Sequence, residues 1–455
     1  MIMETRLSKS SCAVGEVPSH VGLGPLSGAN LSLKSSLVRN TIWMFLGQGL
    51  RLIIQALYFV EIARSLGTAN YGAFVGVVAL VGIVFPFGAL GSGNLLVKNV
   101  SRDRSFFPAY WGRALTTTAI SSALLLSGVL ILSHFILPPT IPLRLVVLVA
   151  GADLFGLNVI TVCGQAFQAF EQLNWTAVIN VLISATRLLG ALILIHIHRH
   201  PSALQWGYIY LCSTTAVAIT ASLLVWTRLG PPQFMGPRIA TKMREGLYFS
   251  VSLSAQTIYN DIDKTMLARL STLDAAGIYG AAYRLVDVSF IPVSALLSAA
   301  YPSFFRAGAS GISASFGCAK PLLLRTLGYS SFICVFLMLS AGLVPHVIGG
   351  EYARTVEALR WLALLPVLKG LHYFLSDSLT GAGHQGLRTA IQAAVAVFNV
   401  LINLWIIPAY SWRGAAWSSI ASDALLVCGV GAAVLILSGR SRTVVANAVA
   451  DAGCS

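Results

Sequence analysis

The sequence predicts an all-α polytopic membrane protein of about 12 transmembrane helices in two six-helix lobes. The 455 residues are 56% hydrophobic and only 10% charged, whereas soluble domains carry about 25% charged residues. The mean hydropathy is +0.78. Most uncharged runs reach the roughly 20 residues that a helix needs to cross a bilayer, and they occupy residues 65–97, 114–143, 200–227, 288–305, 326–350 and 389–412. The alternating pattern of a membrane β-barrel is absent from the sequence.

Twelve spans are expected along the chain. They are predicted at residues 38–64, 70–96, 114–137, 143–168, 174–197, 203–227, 245–270, 275–303, 322–345, 355–380, 388–409 and 414–438. Only the connectors near residues 98–113, 228–244 and 304–321 exceed a tight turn. Because this leaves no room for a soluble catalytic domain, the sequence indicates a protein that is not an enzyme.

The N-terminal region differs from the rest of the chain. Residues 1–36 are rich in Ser and Gly and lack the apolar core of a signal peptide, so we predict a disordered cytoplasmic tail. The other predicted domains are an N-terminal lobe (37–228), a cytoplasmic linker (229–243), a C-terminal lobe (244–438) and a second tail (439–455). The seven cysteines are scattered, which indicates small core residues, and we expect no metal and no other cofactor.

The distribution of Lys and Arg predicts the orientation. With the N-terminus inside, the outer side holds six: Arg64, Arg144, Arg199, Arg269, Arg354 and Arg413. The inner side holds sixteen close to the spans: Lys34, Arg39, Lys98, Arg102, Arg104, Arg113, Arg228, Arg238, Lys242, Arg244, Arg306, Lys320, Arg325, Arg388, Arg440 and Arg442. Both termini are therefore predicted to be cytoplasmic in a cell inner membrane. The net charge of +14 reflects these residues, and no nucleic acid partner is expected.

An internal echo relates the two halves of the chain. "ARSLGTANYGAF" begins at Ala63 and "ARLSTLDAAGIY" begins at Ala268, an offset of 205 residues. The same shift aligns Gly72 with Gly277 and places spans 1 and 2 on spans 7 and 8. Because each half has an even number of spans, the halves share one orientation. This pattern is typical of transporters whose binding site lies between two parallel repeats.

Apart from the basic residues already assigned to the two sides and the glutamates in terminal turns, twelve charged residues lie inside the spans: Arg51, Arg187, Lys264, Arg284, Arg360, Lys369, Asp153, Asp261, Asp263, Asp287, Asp377 and Asp423. At about 3 kcal/mol each, exposure of all of them to lipid would cost about 36 kcal/mol. A typical net stability is only about 5–15 kcal/mol. Most of these charges must therefore face the protein interior or water.

Helical spacing indicates where several of them point. Span 1 carries a polar stripe of Gln48, Arg51, Gln55 and Tyr58, and span 5 carries Thr176, Asn180, Ser184 and Arg187, at steps of three and four that share one helix face. Such stripes are either hydrogen-bonding contacts between helices or the wall of a hydrated cavity. Neither Arg51 nor Arg187 has an acid three or four residues away, which favours the cavity. The substrate-cavity candidates are Arg51, Gln48, Gln55, Asn180, Arg187, Arg284 and Lys369.

The acidic candidates form a second group. Asp261 and Lys264 are three residues apart, as are Arg284 and Asp287, so each pair is expected to neutralise itself. Asp263 lies about 200° around the helix from Asp261 and needs a different partner. The candidates for ion coupling or for a gate between helices are Asp261, Asp263, Lys264 and Asp287.

Several stretches of the sequence resemble those of a known family. "YNDIDKTMLARLSTLDAAGIYGAAYRL" (259–285) is similar to the span 7–8 signature of the polysaccharide-transporter branch of the multidrug/oligosaccharidyl-lipid/polysaccharide (MOP) exporter superfamily, which includes O-antigen (Wzx-like) flippases. "IARSLGTANYGAFVGVVAL" (62–80) and "LGSGNLLVKNVSR" (90–102) resemble its spans 1–2. "LTGAGHQ" (379–385) and "FNVLINLWIIPAYSWRGAAWSSIASD" (398–423) resemble its C-terminal spans. Ala69 stands where the family often has an acid.

The resemblance implies a flippase with a MATE-like fold. Such a protein moves a polyprenyl-pyrophosphate-linked saccharide across the cytoplasmic membrane for the synthesis of O-antigen, lipopolysaccharide or exopolysaccharide. The implied partners are this lipid-linked oligosaccharide, the bilayer and, as candidates, a polysaccharide polymerase and other assembly proteins. Two alternatives stay open: an ion-coupled exporter of drugs or small solutes from the same superfamily, and a membrane polymerase or ligase of surface polysaccharide.

Overall fold

The computed structural model describes the backbone at residues 27–198, 200–234 and 243–452, and side chains at residues 49–198, 200–234, 250–251, 253–301 and 303–439. In these ranges the chain is almost entirely helical and contains no strand. Nine stretches are long and apolar enough to cross a membrane.

The N-terminal half contains seven α-helices. They are α1 (Ser27–Val84), α2 (Ser92–Val100), α3 (Phe107–Ile136), α4 (Leu143–Ala150), α5 (Asn158–Ala169), α6 (Leu173–Ile197) and α7 (Ala203–Leu229). Gly67, with φ of 70°, divides α1 into two arms, because a left-handed residue cannot continue a helix. A π-helical segment, Gly151–Leu157, joins α4 to α5.

The C-terminal half contains eight α-helices. They are α8 (Met243–Leu270), α9 (Leu273–Gly308), α10 (Ile312–Ser340), α11 (Val344–Ile348), α12 (Thr355–Leu362), α13 (Leu365–Gly381), α14 (Gln385–Tyr410) and α15 (Trp412–Ala452). Thr272 caps α9, its hydroxyl accepting a hydrogen bond from the Ala275 amide, as Thr commonly does at this position.

The spans predicted from hydropathy correspond to these helices. The two arms of α1, the second continued by α2, form the first two. The other ten are α3, α4–α5, α6, α7, α8, α9, α10, α12–α13, α14 and α15. The nine apolar stretches yield twelve spans because one of them, Gly49–Phe87, contains both arms of α1, and because α8 and α12–α13 lie outside that set. The all-α polytopic architecture is confirmed.

Several predicted boundaries differ from the observed ones. Helix α1 begins at Ser27, inside the predicted tail, and α15 continues beyond residue 438 to Ala452. Helix α10 begins at Ile312 and ends at Ser340 rather than spanning 322–345. Residues 1–26 of the tail and residues 235–242 of the linker lie outside the described residues.

The two halves meet at a close helix crossing. The second arm of α1 packs against α8 and α9. A Cβ atom on Gly72 would lie 1.8 Å from the Leu273 carbonyl oxygen, and one on Gly277 would lie 2.0 Å from the Thr68 carbonyl oxygen. Both glycines and both carbonyls are related by the offset of 205 residues. The internal echo in the sequence thus marks the place where the two lobes touch.

Candidate functional site

A cavity of about 730 Å³ lies between the two lobes. We call it the arginine cavity after Arg51, Arg187 and Arg284, which all line it. The sequence candidates found in its wall are Arg51, Gln55, Asn180, Arg187, Asp261, Lys264, Arg284 and Asp287. The side chain of Gln48 lies outside the described residues. Two polar stripes, one on α1 and one on α6, therefore face a single hollow space.

The first arm of α1 separates this cavity from the membrane. Arg51, Gln55 and Tyr58 face the cavity. Leu50, Ile53 and Leu57 are about half exposed or more on the opposite side; their steps of three and four place them together on one helix face. The helix thus presents a polar stripe to the cavity and an apolar stripe to lipid.

Arg51 and Arg284 supply positive charge without acidic partners. The ion pairs among the described residues include neither of them. The buried Nε atom of Arg51 has no hydrogen-bond partner among the described residues. Arg284 Nη2 donates to Gln55 Oε1 over 3.4 Å. Since burying a charge is costly unless it is compensated, two uncompensated guanidinium groups in one cavity suit an anionic ligand.

Arg187 is held more firmly than its sequence spacing suggests. Its guanidinium lies 4.0 Å from the Tyr210 ring centroid, its Nη2 donates to Thr214 Oγ1 over 3.2 Å, and it is 3.9 Å from Asp153 Oδ1. Tyr210 also donates to Asp153 over 2.8 Å. Asp153 lies in the π-helical segment, far away in sequence, so the spacing of residues along α6 gave no sign of this acidic neighbour.

The predicted pairing of Arg284 with Asp287 is also corrected. Asp287 lies 3.8 Å from Lys369 Nζ on α13, and Arg284 bonds Gln55 instead. In contrast, Asp261 and Lys264 are ion-paired, as their spacing predicts. Of the two predicted pairs, Asp261–Lys264 is therefore neutralised within one helix. At the other, Lys369 of α13 competes with Arg284 for Asp287.

A second cavity, of about 500 Å³, lies within the C-terminal lobe. We call it the tyrosine cavity after Tyr283, Tyr301 and Tyr373, which line it. Its wall comes from α8, α9, α13 and α14 alone, and includes Lys369. Lys369 Nζ bonds the Tyr283 hydroxyl over 2.7 Å. The structure thus places Lys369 in this cavity rather than with the three arginines.

Asp263 lines neither cavity and is fully buried. Its carboxylate accepts hydrogen bonds from Asn403 Nδ2 and from the Tyr279 hydroxyl, each over 2.8 Å, and from the Ser419 hydroxyl. These donors lie on α14, α9 and α15, so Asp263 joins four helices of the lobe.

We expect Asp263→Asn to lower the thermal stability of the protein. An amide presents its own donors to groups that already donate, and hydrogen bonds to a charged acceptor contribute about 1.5–3 kcal/mol each. Melting of the detergent-purified protein, followed by fluorescence size exclusion, measures the effect. Glu357→Gln is the control, because it also turns a carboxylate into an amide but affects an exposed ion pair with Arg413, and exposed pairs contribute only about 0–1 kcal/mol. Equal melting temperatures for the two variants would contradict this role.

Tyr210, Tyr283 and His372 were not predicted as functional residues from the sequence. Tyr210 fixes both members of the Arg187–Asp153 pair, and Tyr283 lies under two lysines, 4.0 Å from Lys264 Nζ and 4.5 Å from Lys369 Nζ. His372 Nε2 and Asp423 Oδ1 are 3.4 Å apart in the buried interior of the C-terminal lobe. Tyr283 lies four residues before Asp287, a spacing that could have indicated its position, whereas no charged residue lies near Tyr210 in the sequence.

Two serines on α8 contact the N-terminal lobe. Ser250 and Ser254 donate to the carbonyl oxygens of Pro86 and Ile83 over 2.8 and 2.7 Å, so they join the lobes. The backbone next to these contacts forms a 3-10 turn, Phe85–Phe87, followed by Gly91 with φ of 69°. Among the described residues, no group of three or more His, Cys, Asp or Glu could hold a metal ion.

The arginine cavity is closed at the predicted outer end. Thr68 donates to Asp274, and the Tyr352 hydroxyl donates to the Ala63 carbonyl over 2.9 Å. At the other end, the cavity wall extends to Gln168, at the predicted cytoplasmic end of α5. Gln168 is exposed, so the cavity wall reaches the protein surface on the side that the charge distribution assigns to the cytoplasm.

Comparison with protein families identifies the chain. The model of a family described as "Polysaccharide biosynthesis protein" matches residues 37–307. The chain belongs to this family. The match covers the N-terminal lobe and the α8–α9 region that carries the resemblance seen in the sequence, and the resemblance is confirmed. No curated protein sequence matches the chain at a significant level.

Solved structures show the fold of this family member. An inward-facing MATE multidrug transporter of the MOP superfamily matches with a TM-score of 0.70 at 15% identity, over 87% of this chain and 99% of that one. The outward-facing conformation of such a transporter matches with 0.60 at 16% identity, over 89% and 97%. A MOP transporter from Pyrococcus furiosus, described as having a binding pocket of reverse polarity, matches with 0.58 at 18% identity, over 89% and 96%. The fold is that of the MOP superfamily.

Proposed function

We propose that the protein flips a polyprenyl-pyrophosphate-linked saccharide across the cytoplasmic membrane during synthesis of a surface polysaccharide such as O-antigen or exopolysaccharide. The observation that carries the proposal is the arginine cavity, in which Arg51 and Arg284 have no acidic partner among the residues that the structure describes. In this proposal both termini are cytoplasmic, and residues 37–228 and 244–438 form the two moving lobes.

The charge of the cavity suits a pyrophosphate. A pyrophosphate carries about two negative charges, and even one charge at the bilayer centre is costly. Arginine forms bidentate, charge-assisted hydrogen bonds to phosphate oxygens, which offset that cost. Asn180 and Gln55 in the same wall add amide donors for oxygen atoms that the arginines leave free.

The apolar face of α1 suits the lipid tail. Leu50, Ile53 and Leu57 are exposed on the side of this helix opposite Arg51 and Gln55. A polyprenyl chain can remain in the bilayer beside this face while its headgroup occupies the cavity. The lipid carrier therefore never has to enter the polar interior.

The two alternatives fit the cavity less well. A drug exporter of the same superfamily would need a site for cationic or neutral solutes, yet the wall holds four basic residues, Arg51, Arg187, Lys264 and Arg284, and only two acids, Asp261 and Asp287. A polymerase or ligase needs a sizeable outer loop. The described connectors at the outer end are short, the longest being residues 341–354.

Deletion of the gene tests the proposal. We expect lipid-linked oligosaccharide to accumulate facing the cytosol, because its synthesis continues while its transfer stops. Radiolabelled sugar in the lipid extract measures the pool, and protection from glycosidase added to spheroplasts reports its side. Complementation with the wild-type gene is the control. An unchanged pool with normal surface polysaccharide would refute the function, and a pool open to the added enzyme would assign the protein to a later step.

A further inference from the structure

We propose that the tyrosine cavity is a separate subsite for the saccharide, and that the lipid-linked substrate occupies both cavities at once. The pyrophosphate would lie in the arginine cavity and the first sugars in the tyrosine cavity. This inference rests on the proposed function and adds the place where the sugar is recognised.

The two cavities meet at a shared wall. Asp261 and Asp287 line both of them. Tyr283 contacts both Lys264, which lines the arginine cavity, and Lys369, which lines the tyrosine cavity. A ligand with an anionic part joined directly to a polar, uncharged part would therefore match two adjacent spaces of different chemistry.

The lining of the tyrosine cavity has the groups that a sugar requires. Gln256 Nε2 and Asn260 Nδ2 donate to the Tyr373 hydroxyl over 2.9 and 3.4 Å. These amide and hydroxyl groups both donate and accept hydrogen bonds, as sugar hydroxyls do. The rings of Phe290 and Tyr373, with centroids 5.7 Å apart, offer apolar faces on which the C–H groups of a pyranose ring can pack.

The charges of this cavity are balanced. Asp377 pairs with Arg388 over 2.9 Å, Asp287 lies 3.8 Å from Lys369, and Asp261 pairs with Lys264. The lining therefore offers no uncompensated cation to a carboxylate. The subsite is accordingly assigned to uncharged sugars, such as hexoses or N-acetylated hexosamines, rather than to uronic acids.

A bulky substitution at Ser298 tests the subsite. Ser298 is exposed on α9 and lines the tyrosine cavity but not the arginine cavity. Ser298→Trp fills the space that the sugar would occupy. Ala299→Trp is the matched control, because the neighbouring Ala299 is equally exposed and lines neither cavity. Two readouts are needed: surface polysaccharide in a deletion strain carrying each variant, and binding of undecaprenyl pyrophosphate, which has no sugar, to each purified protein.

We expect Ser298→Trp to reduce surface polysaccharide about tenfold or more while binding undecaprenyl pyrophosphate within about twofold of wild type. Ala299→Trp is expected to match wild type in both readouts. Normal polysaccharide with Ser298→Trp, a parallel loss of undecaprenyl pyrophosphate binding, or an equal defect in Ala299→Trp would overturn the subsite. A wild-type protein that does not bind undecaprenyl pyrophosphate and whose deletion leaves polysaccharide unchanged would instead refute the proposed function.

Discussion

Arg51→Ala is expected to reduce polysaccharide export about 10- to 100-fold without lowering the amount of folded protein. Arg51 lines the arginine cavity and pairs with no acid in the described chain. Truncation of Arg51 therefore leaves no buried carboxylate without a cationic partner. What is lost is the interaction with an anionic substrate, and hydrogen bonds to charged groups are worth about 1.5–3 kcal/mol, with each 1.4 kcal/mol equal to about tenfold.

The measurement compares export with protein level for each variant. Surface polysaccharide is quantified in a deletion strain, and folded protein is quantified by fluorescence size exclusion of the tagged protein. Arg51→Lys keeps the charge but loses the planar fork that binds phosphate oxygens in pairs, so it should retain part of the activity. Normal polysaccharide in Arg51→Ala would remove this residue from the mechanism.

Arg187 provides a useful contrast to Arg51. Its guanidinium neighbours Asp153, Tyr210 and Thr214, so Arg187→Ala leaves Asp153 buried without its cation. Removal of one partner of a buried pair costs about 3–5 kcal/mol. We therefore expect Arg187→Ala to lower the amount of folded protein and Arg51→Ala to lower transport alone.

The fold could be predicted from the sequence because hydropathy and span length depend on local composition. The polar stripes on α1 and α6 could be predicted for a similar reason, since helical geometry places residues three and four apart on one face. The cavity that both stripes face results from the packing of α1 against α6. The internal repeat had indicated a binding site between the two lobes. Local periodicity therefore located the wall of the site.

The pairing of charges could not be predicted in the same way. Asp153 reaches Arg187 from another span, and Lys369 competes with Arg284 for Asp287 across the C-terminal lobe. These contacts join residues far apart in sequence, and their geometry is set by helix packing and by the π-helical turn at Gly151–Leu157. The two cavities likewise share Asp261 and Asp287, which lie on different helices, α8 and α9. A one-dimensional pattern contains no information on such tertiary contacts.

Gly72→Val is expected to weaken closure of the outer end and to reduce export about 10- to 100-fold. A Cβ atom on Gly72 would lie 1.8 Å from the Leu273 carbonyl oxygen, which belongs to the backbone and cannot rotate away. Overpacking typically costs about 1–3 kcal/mol, and here the cost falls on the closed outer end. The population of proteins with an open outer end should therefore rise. Gly277→Val should have the same effect, because its Cβ atom would meet the Thr68 carbonyl oxygen at 2.0 Å.

Labelling from the periplasm measures this shift. In a cysteine-free background, Ala79→Cys places a thiol in the buried wall of the arginine cavity, where a membrane-impermeant maleimide reaches it from outside only when the outer end opens. Gly72→Val should increase this labelling. Gly128→Val is the matched control, because a Cβ atom on Gly128 of α3 meets nothing within 4 Å. Unchanged labelling and normal export in Gly72→Val would mean that the glycine crossing does not control access to the cavity, since the two lobes would then close without this close approach of their backbones.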